Sequence, residues 1–288
     1  TRSTGSQSRN KYDSYTWDSF ATYKKLFADN HNVEATVGMT VIKNWGNGLS
    51  GTGYDVPYNS WDFADISQTT GLGTGNDNSS YTYDNRLLSY FGRLQYDFKG
   101  KYLLSAMFRR DGSSAFDKEY RIDHFKSVTA GWKISEENFL KNNSTIDFLK
   151  LRASYGTLGN LVGNDLYKSL LSGEATYVFD GTLTNGQALG ALPNKIAKWE
   201  TAEKLDIGVD AKLFGNKLEI VADYFLEDRI DLLIPGLPIS GINGTTAPGS
   251  GAPTVNAGTT RSEGYELQLT YNDEISENLS FNVSYNVT

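Results

Sequence analysis

The chain has 288 residues, with 18 Tyr, 14 Phe, 5 Trp, 29 Gly and no Cys, and a net charge of −7. The acidic balance excludes the basic footprint of a general nucleic-acid binder. The absence of Cys excludes a disulfide scaffold, a thiol nucleophile and thiolate metal sites. Only two His occur, His31 and His124, too few and too far apart in sequence for a His-rich metal site.

Period-two alternation of apolar and polar residues, the mark of half-buried strands, recurs from one end to the other. It is found near 15–27, 33–45, 86–98, 102–110, 126–135, 148–156, 201–213, 218–229, 260–271 and 279–288. Val33, Ala35, Val37, Met39 and Val41 share one face. Leu205, Ile207, Val209, Ala211 and Leu213 oppose Lys204, Asp206, Gly208, Asp210 and Lys212. Leu279, Phe281, Val283, Tyr285 and Val287 alternate with Ser280, Asn282, Ser284 and Asn286. Several runs exceed ten residues, against about 5–6 for a globular strand and about 9–11 for a tilted membrane-crossing one.

The predicted connections alternate in length. Short ones fall at 28–32, 99–101, 214–217 and 272–278, with a medium one at 136–147. Long ones fall at 46–85, 111–125, 157–200 and 230–259. In an up-and-down sheet, alternate connections lie at opposite ends, so the long loops collect at one end. Tight periplasmic turns and long external loops characterise outer-membrane barrels. The expected fold is therefore all-β, an antiparallel up-and-down transmembrane β-barrel section. Leu205, Ile207, Val209, Phe281 and Val283 are expected to face lipid. Residues 232–260 carry no charge, but four Pro and six Gly preclude a regular membrane helix. In the medium connection, Ser135 to Leu140 suggests one helical turn capped by Ser135, with acids following. The polar start, Thr1 to Asn10, reads as the interior of a longer protein rather than a signal peptide.

Few residues carry a chemical signal. The 46–85 loop gathers Tyr54, Tyr58, Trp61, Phe63, Tyr81 and Tyr83 with Asp55, Asp62 and Asp65. Flat rings beside hydrogen-bond acceptors suit stacking on sugars or gripping peptides, while a loop of this length also needs a small core of its own. Arg109 falls on the polar face of its strand, beside the turn Asp111-Gly112-Ser113-Ser114. It faces ligand across a lumen or, more simply, makes a wall salt bridge. Asp206 and Asp210 face the same lumen. The acid pairs Asp62/Asp65, Glu136/Glu137 and Asp228/Asp231 lack the cleft that glycoside hydrolysis needs, and no calcium-loop spacing is present at Asp62/Asp65. Gly71 to Gly75 has no strand-to-helix context for a phosphate loop and reads as a loop tip. No cofactor or metal is expected.

A set of ordered strings carries a resemblance. These are Arg109 to Phe116 (RRDGSSAF), Gly131 to Phe139 (GWKISEENF), Leu149 to Asn160 (LKLRASYGTLGN), Trp199-Glu200-Thr201, Asp223-Tyr224-Phe225 and Gly264-Tyr265-Glu266-Leu267. In this order the chain resembles the SusC/RagA family of TonB-dependent outer-membrane transporters of Bacteroidetes, from about Leu88 to Thr288. The resemblance implies import of glycan or peptide oligomers across the outer membrane. It also implies a SusD-like surface lipoprotein as lid and the TonB–ExbB–ExbD system as energy source. The family's plug domain, TonB box and terminal aromatic closing strand are not found in residues 1–288, so the expectation is about ten strands of a larger barrel of about 22 strands. Two alternatives remain: a self-contained ten-stranded outer-membrane enzyme of omptin-like type, and a soluble β-sandwich adhesin or lectin.

Overall fold

A computed structural model describes residues 3–288 except 58–59, 64, 72–76, 142, 162, 164–165, 169–170, 173–175, 187, 191 and 244–250. The elements in chain order are β1 (Thr4–Phe27), β2 (His31–Tyr54), β3 (Asp77–Phe98), β4 (Tyr102–Ser113), β5 (Ile122–Lys133), β6 (Ile146–Asn160), the short β7 (Leu171–Ser172), β8 (Thr176–Phe179), β9 (Thr182–Asn185) and β10 (Ala188–Leu189), then β11 (Glu200–Leu213), β12 (Leu218–Ile234), β13 (Val255–Ser276) and β14 (Leu279–Val287). Ten of them form one sheet in the order β1-β2-β3-β4-β5-β6-β11-β12-β13-β14, every strand beside its neighbour in the main sequence of strands. Four single 3-10 turns are the only helical elements among the described residues.

All ten predicted strands are present, and most run longer than the alternation indicates. The largest difference is at 46–85. There β2 continues to Tyr54 and β3 begins at Asp77, so the connection contracts to residues 55–76. Between β13 and β14 only 277–278 remain outside strand. The alternation of connection lengths is also less strict than expected. Because β4 and β5 both extend inward, the connection 114–121 is shorter than 134–145. In the latter, the helical turn forms at Ile134–Glu136 as a 3-10 turn with Lys133 at its cap position and no side-chain cap bond. Ser135 therefore lies inside the turn, with its Oγ buried and without a hydrogen-bond partner among the described residues.

The chain divides into two compact units, one of residues 1–17 with 40–88, the other of 18–39 with 89–288. In the first, β1, β2 and β3 carry the ladder above the connection 55–76. In the second, strand register separates two chemistries. One face holds Leu104 and Ala130, Ala153 and Ile207, Tyr224 and Tyr265, Leu267 and Val287 as cross-strand partners. The other pairs Ser105 with Thr129, Ser154 with Asp206, Asp223 with Glu266 and Gln268 with Asn286. Since side chains alternate along each strand, one register gathers Leu205, Ile207, Val209, Val283 and Tyr285 on the first face, while Leu103, Met107, Val221 and Phe225 fall among the polar residues of the second. Ile207 and Val283 are exposed there, without a protein layer over them.

The second unit also has a small buried core, at the ends of the strands next to the long connections. Phe116 lies 5.4 Å and Phe125 5.8 Å from the Trp199 ring. Ala115, Ala197 and Leu233 are buried with them. Trp199 Nε1 donates to the Arg121 carbonyl at 3.0 Å. Buried Glu200 accepts from Asn160 Nδ2 at 2.6 Å and from the Leu233 amide at 2.7 Å, so its desolvated carboxylate is satisfied. A Cβ on Gly159 would fall 2.0 Å from the Phe125 ring, which explains the glycine. Three of the ordered strings in the sequence meet here, through Ala115-Phe116, Gly159-Asn160 and Trp199-Glu200.

Candidate functional site

The polar face of the second unit is organised around Arg152 on β6. Its guanidinium donates to Asp206 at 3.1 Å, to Asp210 at 3.1 Å and to Asp223 at 2.7 Å. Lys150 reaches Asp210 at 3.6 Å. Two cations thus meet three carboxylates, and the planar five-donor fork of Arg is what allows one side chain to serve all three. The arrangement depends on Gly208. A Cβ there would stand 2.0 Å from Asp223 Oδ1 and 2.7 Å from Arg152 Cζ. The expected lumen residues Asp206 and Asp210 therefore converge on one cation, and Arg152 is the residue that sequence reading missed. Its partners lie 54, 58 and 71 positions away, which alternation alone does not connect.

Arg109 is engaged in a salt bridge at the end of its strand. It donates to Asp111 at 2.7 Å and to the fully buried Ser89 Oγ at 2.8 Å. It holds the end of β4 against β3.

In the first unit, the structure distributes the aromatic candidates differently from a single loop. Tyr81 and Tyr83 belong to β3, and Tyr54 is the last residue of β2. The Tyr81 and Tyr83 rings stack at 6.5 Å with planes 20° apart. Tyr12 on β1, absent from the sequence-based candidates, completes the group: its hydroxyl is 2.9 Å from that of Tyr81, which also donates to Asn10 Oδ1 at 3.2 Å. The rings lie over glycines. A Cβ on Gly48 would fall 2.3 Å from Tyr81 Cε1, and one on Gly46 2.9 Å from Tyr83 Cε1. The result is a shelf of three phenols with their polar edges already oriented.

Trp61 and Asp62 lie in a 3-10 turn of the connection, and Trp61 is 96% exposed. Phe63 occupies the same turn, its side chain outside what the structure describes. Tyr58 and the Gly71–Gly75 tip beyond Gly71 lie outside the described residues. Asp65 caps the next turn by accepting from the Ser67 amide at 3.1 Å. Among the described residues no three His, Asp or Glu side chains gather as metal ligands. Asp228 pairs with Arg261 and Asp231 with Lys198, so these acids act in the framework. His124 stacks on Phe108 at 5.7 Å.

At the opposite strand ends, Glu137 accepts from Tyr102 Oη at 2.6 Å, Trp132 Nε1 at 3.2 Å and Lys101 Nζ at 3.1 Å. The Tyr102 hydrogen bond first, then those of Lys101 and Trp132, hold its carboxyl below the usual glutamate range.

The surface presents charge, hydroxyls and an aromatic shelf. The family model described as TonB dependent receptor-like, beta-barrel matches residues 1–288. TonB-dependent receptor P3 of Formosa agariphila is 34% identical over 209 residues, which is 72% of this chain and 20% of that protein. TonB-dependent receptor SusC of Bacteroides thetaiotaomicron is 32% identical over 216 residues, 73% of this chain and 21% of that protein. Thus the chain spans about a fifth of the length of these relatives. The RagAB peptide importer in its "closed-closed" state superposes with a TM-score of 0.82 at 23% identity, over 98% of this chain and 30% of that one. That likeness is one of fold.

Proposed function

This chain belongs to the TonB-dependent receptor-like β-barrel family, and on that footing we propose that it is a wall section of an outer-membrane importer for nutrient oligomers, glycan or peptide. The observation that carries this reading is the division of the sheet into an unlayered apolar face and a polar face knotted around Arg152. Such a sheet suits lipid on one side and a hydrated lumen on the other. In this reading residues 1–288 are part of one barrel domain, and the plug belongs to the rest of the protein. The section performs no covalent chemistry. It supplies wall, lumen charge and the mouth that meets the ligand.

A SusD-like lipoprotein closes the mouth as a lid, and TonB with ExbB–ExbD drives transport through parts of the protein outside this chain. Support comes from a relative named SusC and from a fold shared with a peptide importer. The omptin-like enzyme and the soluble sandwich are set aside, because family membership accounts for all ten strands and for their single sheet. In a strain lacking the full-length gene, uptake of fluorescent oligosaccharide or oligopeptide pools should fall and return on complementation. Undiminished uptake of both pools, with no growth defect on either, would overturn the assignment.

A further inference from the structure

The apolar face ends in a group of cations. Its lower limit at β4 and β5 is the Tyr102–Trp132 pair, stacked at 6.3 Å. Six residues further along β4 register places Phe108 opposite Lys126, and eight further Arg110 opposite His124, close to the length of about nine residues that crosses a membrane. All four share the apolar face. The Arg110 guanidinium lies 5.9 Å from the Tyr90 ring centre, and Lys126 is exposed. Among the described residues, neither cation has a carboxylate partner. By contrast, Arg109, Lys150 and Arg152 on the polar face and Arg261 on this one are all paired.

Directly below these cations runs a groove of roughly 620 Å³, lined by Val37, Gly92, Leu94, Ala106, Val128 and Tyr155. Its width comes from Gly92 and Ala106, which leave space between the larger side chains. Apolar groove and unpaired cations are contiguous, since Phe108 and Lys126 line both. The nearest acid by register on this face is Glu203, on β11, two strands from Lys126, where it accepts from Tyr155 Oη at 3.4 Å. Two cations above a hydrocarbon slot form the complement of an anionic amphiphile, with phosphate above and an acyl chain below.

We propose that this face binds a phosphorylated glycolipid of the outer leaflet, its phosphate held by Arg110 and Lys126 and one acyl chain lying in the groove. The inference rests on the membrane reading above, which puts the connection 114–121, next to Arg110, on the outer side. Charge-assisted bonds from guanidinium and ammonium to phosphate are the strong class of hydrogen bond, and guanidinium presents two parallel donors. Tyr90 and His124 flank the cations at the same level and offer ring faces to a sugar headgroup.

The test uses the full-length protein, extracted in mild detergent from isolated outer membranes and examined by native mass spectrometry. Phosphorylated lipid A is added to delipidated protein, in parallel with enzymatically dephosphorylated lipid A. The phosphorylated form should bind at least tenfold more tightly to the wild type, and the preference should disappear in the R110A/K126A double variant and return in R110K/K126R. Equal binding of both lipids to the wild type would overturn the proposal without needing any variant to fold. So would an unchanged preference in a double variant that keeps its heat-modifiable, folded mobility on a gel. Absence of the wild-type protein from the outer-membrane fraction would overturn the membrane reading itself, a separate outcome from equal lipid binding.

Discussion

Gly208 shows how much of the polar face hangs on one missing methyl group. Its Cα carries nothing because Asp223 and Arg152 meet in that space. Gly208→Ala should force the pair apart and cost about 1–3 kcal/mol, the usual range for overpacking a filled site. Urea-dependent refolding of the full-length protein into vesicles would read the loss. Gly131, on the same face and opposite Arg152 on β5, is the control, since a Cβ there meets nothing closer than 3.4 Å. At the same scale, the face assignment separates two arginine substitutions. Val209→Arg, on the apolar face, should cost about 2–4 kcal/mol in the same assay, and exposed Gln268→Arg on the polar face far less. Similar costs for the two would remove the distinction between the faces.

Among the elements, the connection between β5 and β6 stands out for its hydrogen bonding. Glu137 ties Lys101, Tyr102 and Trp132 together. Its carboxyl titrates below its unfolded value, so the stabilisation is complete above the ordinary glutamate pKa of about 4.3 and is lost as pH falls through the lower folded value. The melting midpoint of the wild-type protein in detergent should therefore fall as pH drops from 6 towards about 3. Glu137→Gln should lack that component and start from a lower midpoint at neutral pH. The connections also set sidedness. Because the chain has no Cys, Lys118→Cys in the connection 114–121 should react with a membrane-impermeant maleimide on intact cells, while Glu277→Cys in the turn 277–278 should not. The reverse pattern would invert the topology. The strand interiors were legible because alternation at period two is a direct record of a sheet with unlike faces. The strand ends were not. Gly46, Gly48, Gly51 and Gly53 look like loop composition, yet at 46 and 48 they are strand positions emptied for the rings of Tyr83 and Tyr81. Glycine in a strand commonly marks such a close approach. Arg152 stayed hidden for another reason: a charge hub is defined across strands, and single-strand patterning has no term for it.

For the whole molecule, Trp61 poses the main question of recognition. An indole left 96% exposed has no packing of its own to lose. If it is a contact for ligand or lid, Trp61→Ala should weaken uptake or co-purification of the lid by at least about 1 kcal/mol while leaving the amount of folded barrel unchanged. Unaltered uptake and lid recovery would remove it from the candidates. The buried core around Trp199 has a consequence for how such a mouth diversifies. Phe116, Phe125, Trp199 and Glu200 fasten the root of the connection 161–199 to β5, β6 and β12. Asn194 and Leu192 tie that root to the neighbouring connection through Thr254 and Gly251. On the proposed importer reading, strain from a changed loop should fall on this fastening before it reaches the strand ladder. Insertions and deletions between residues 161 and 190 should then cost the folding of the proposed wall little, which would leave selection free to rewrite what the mouth prefers while inheriting the wall unaltered.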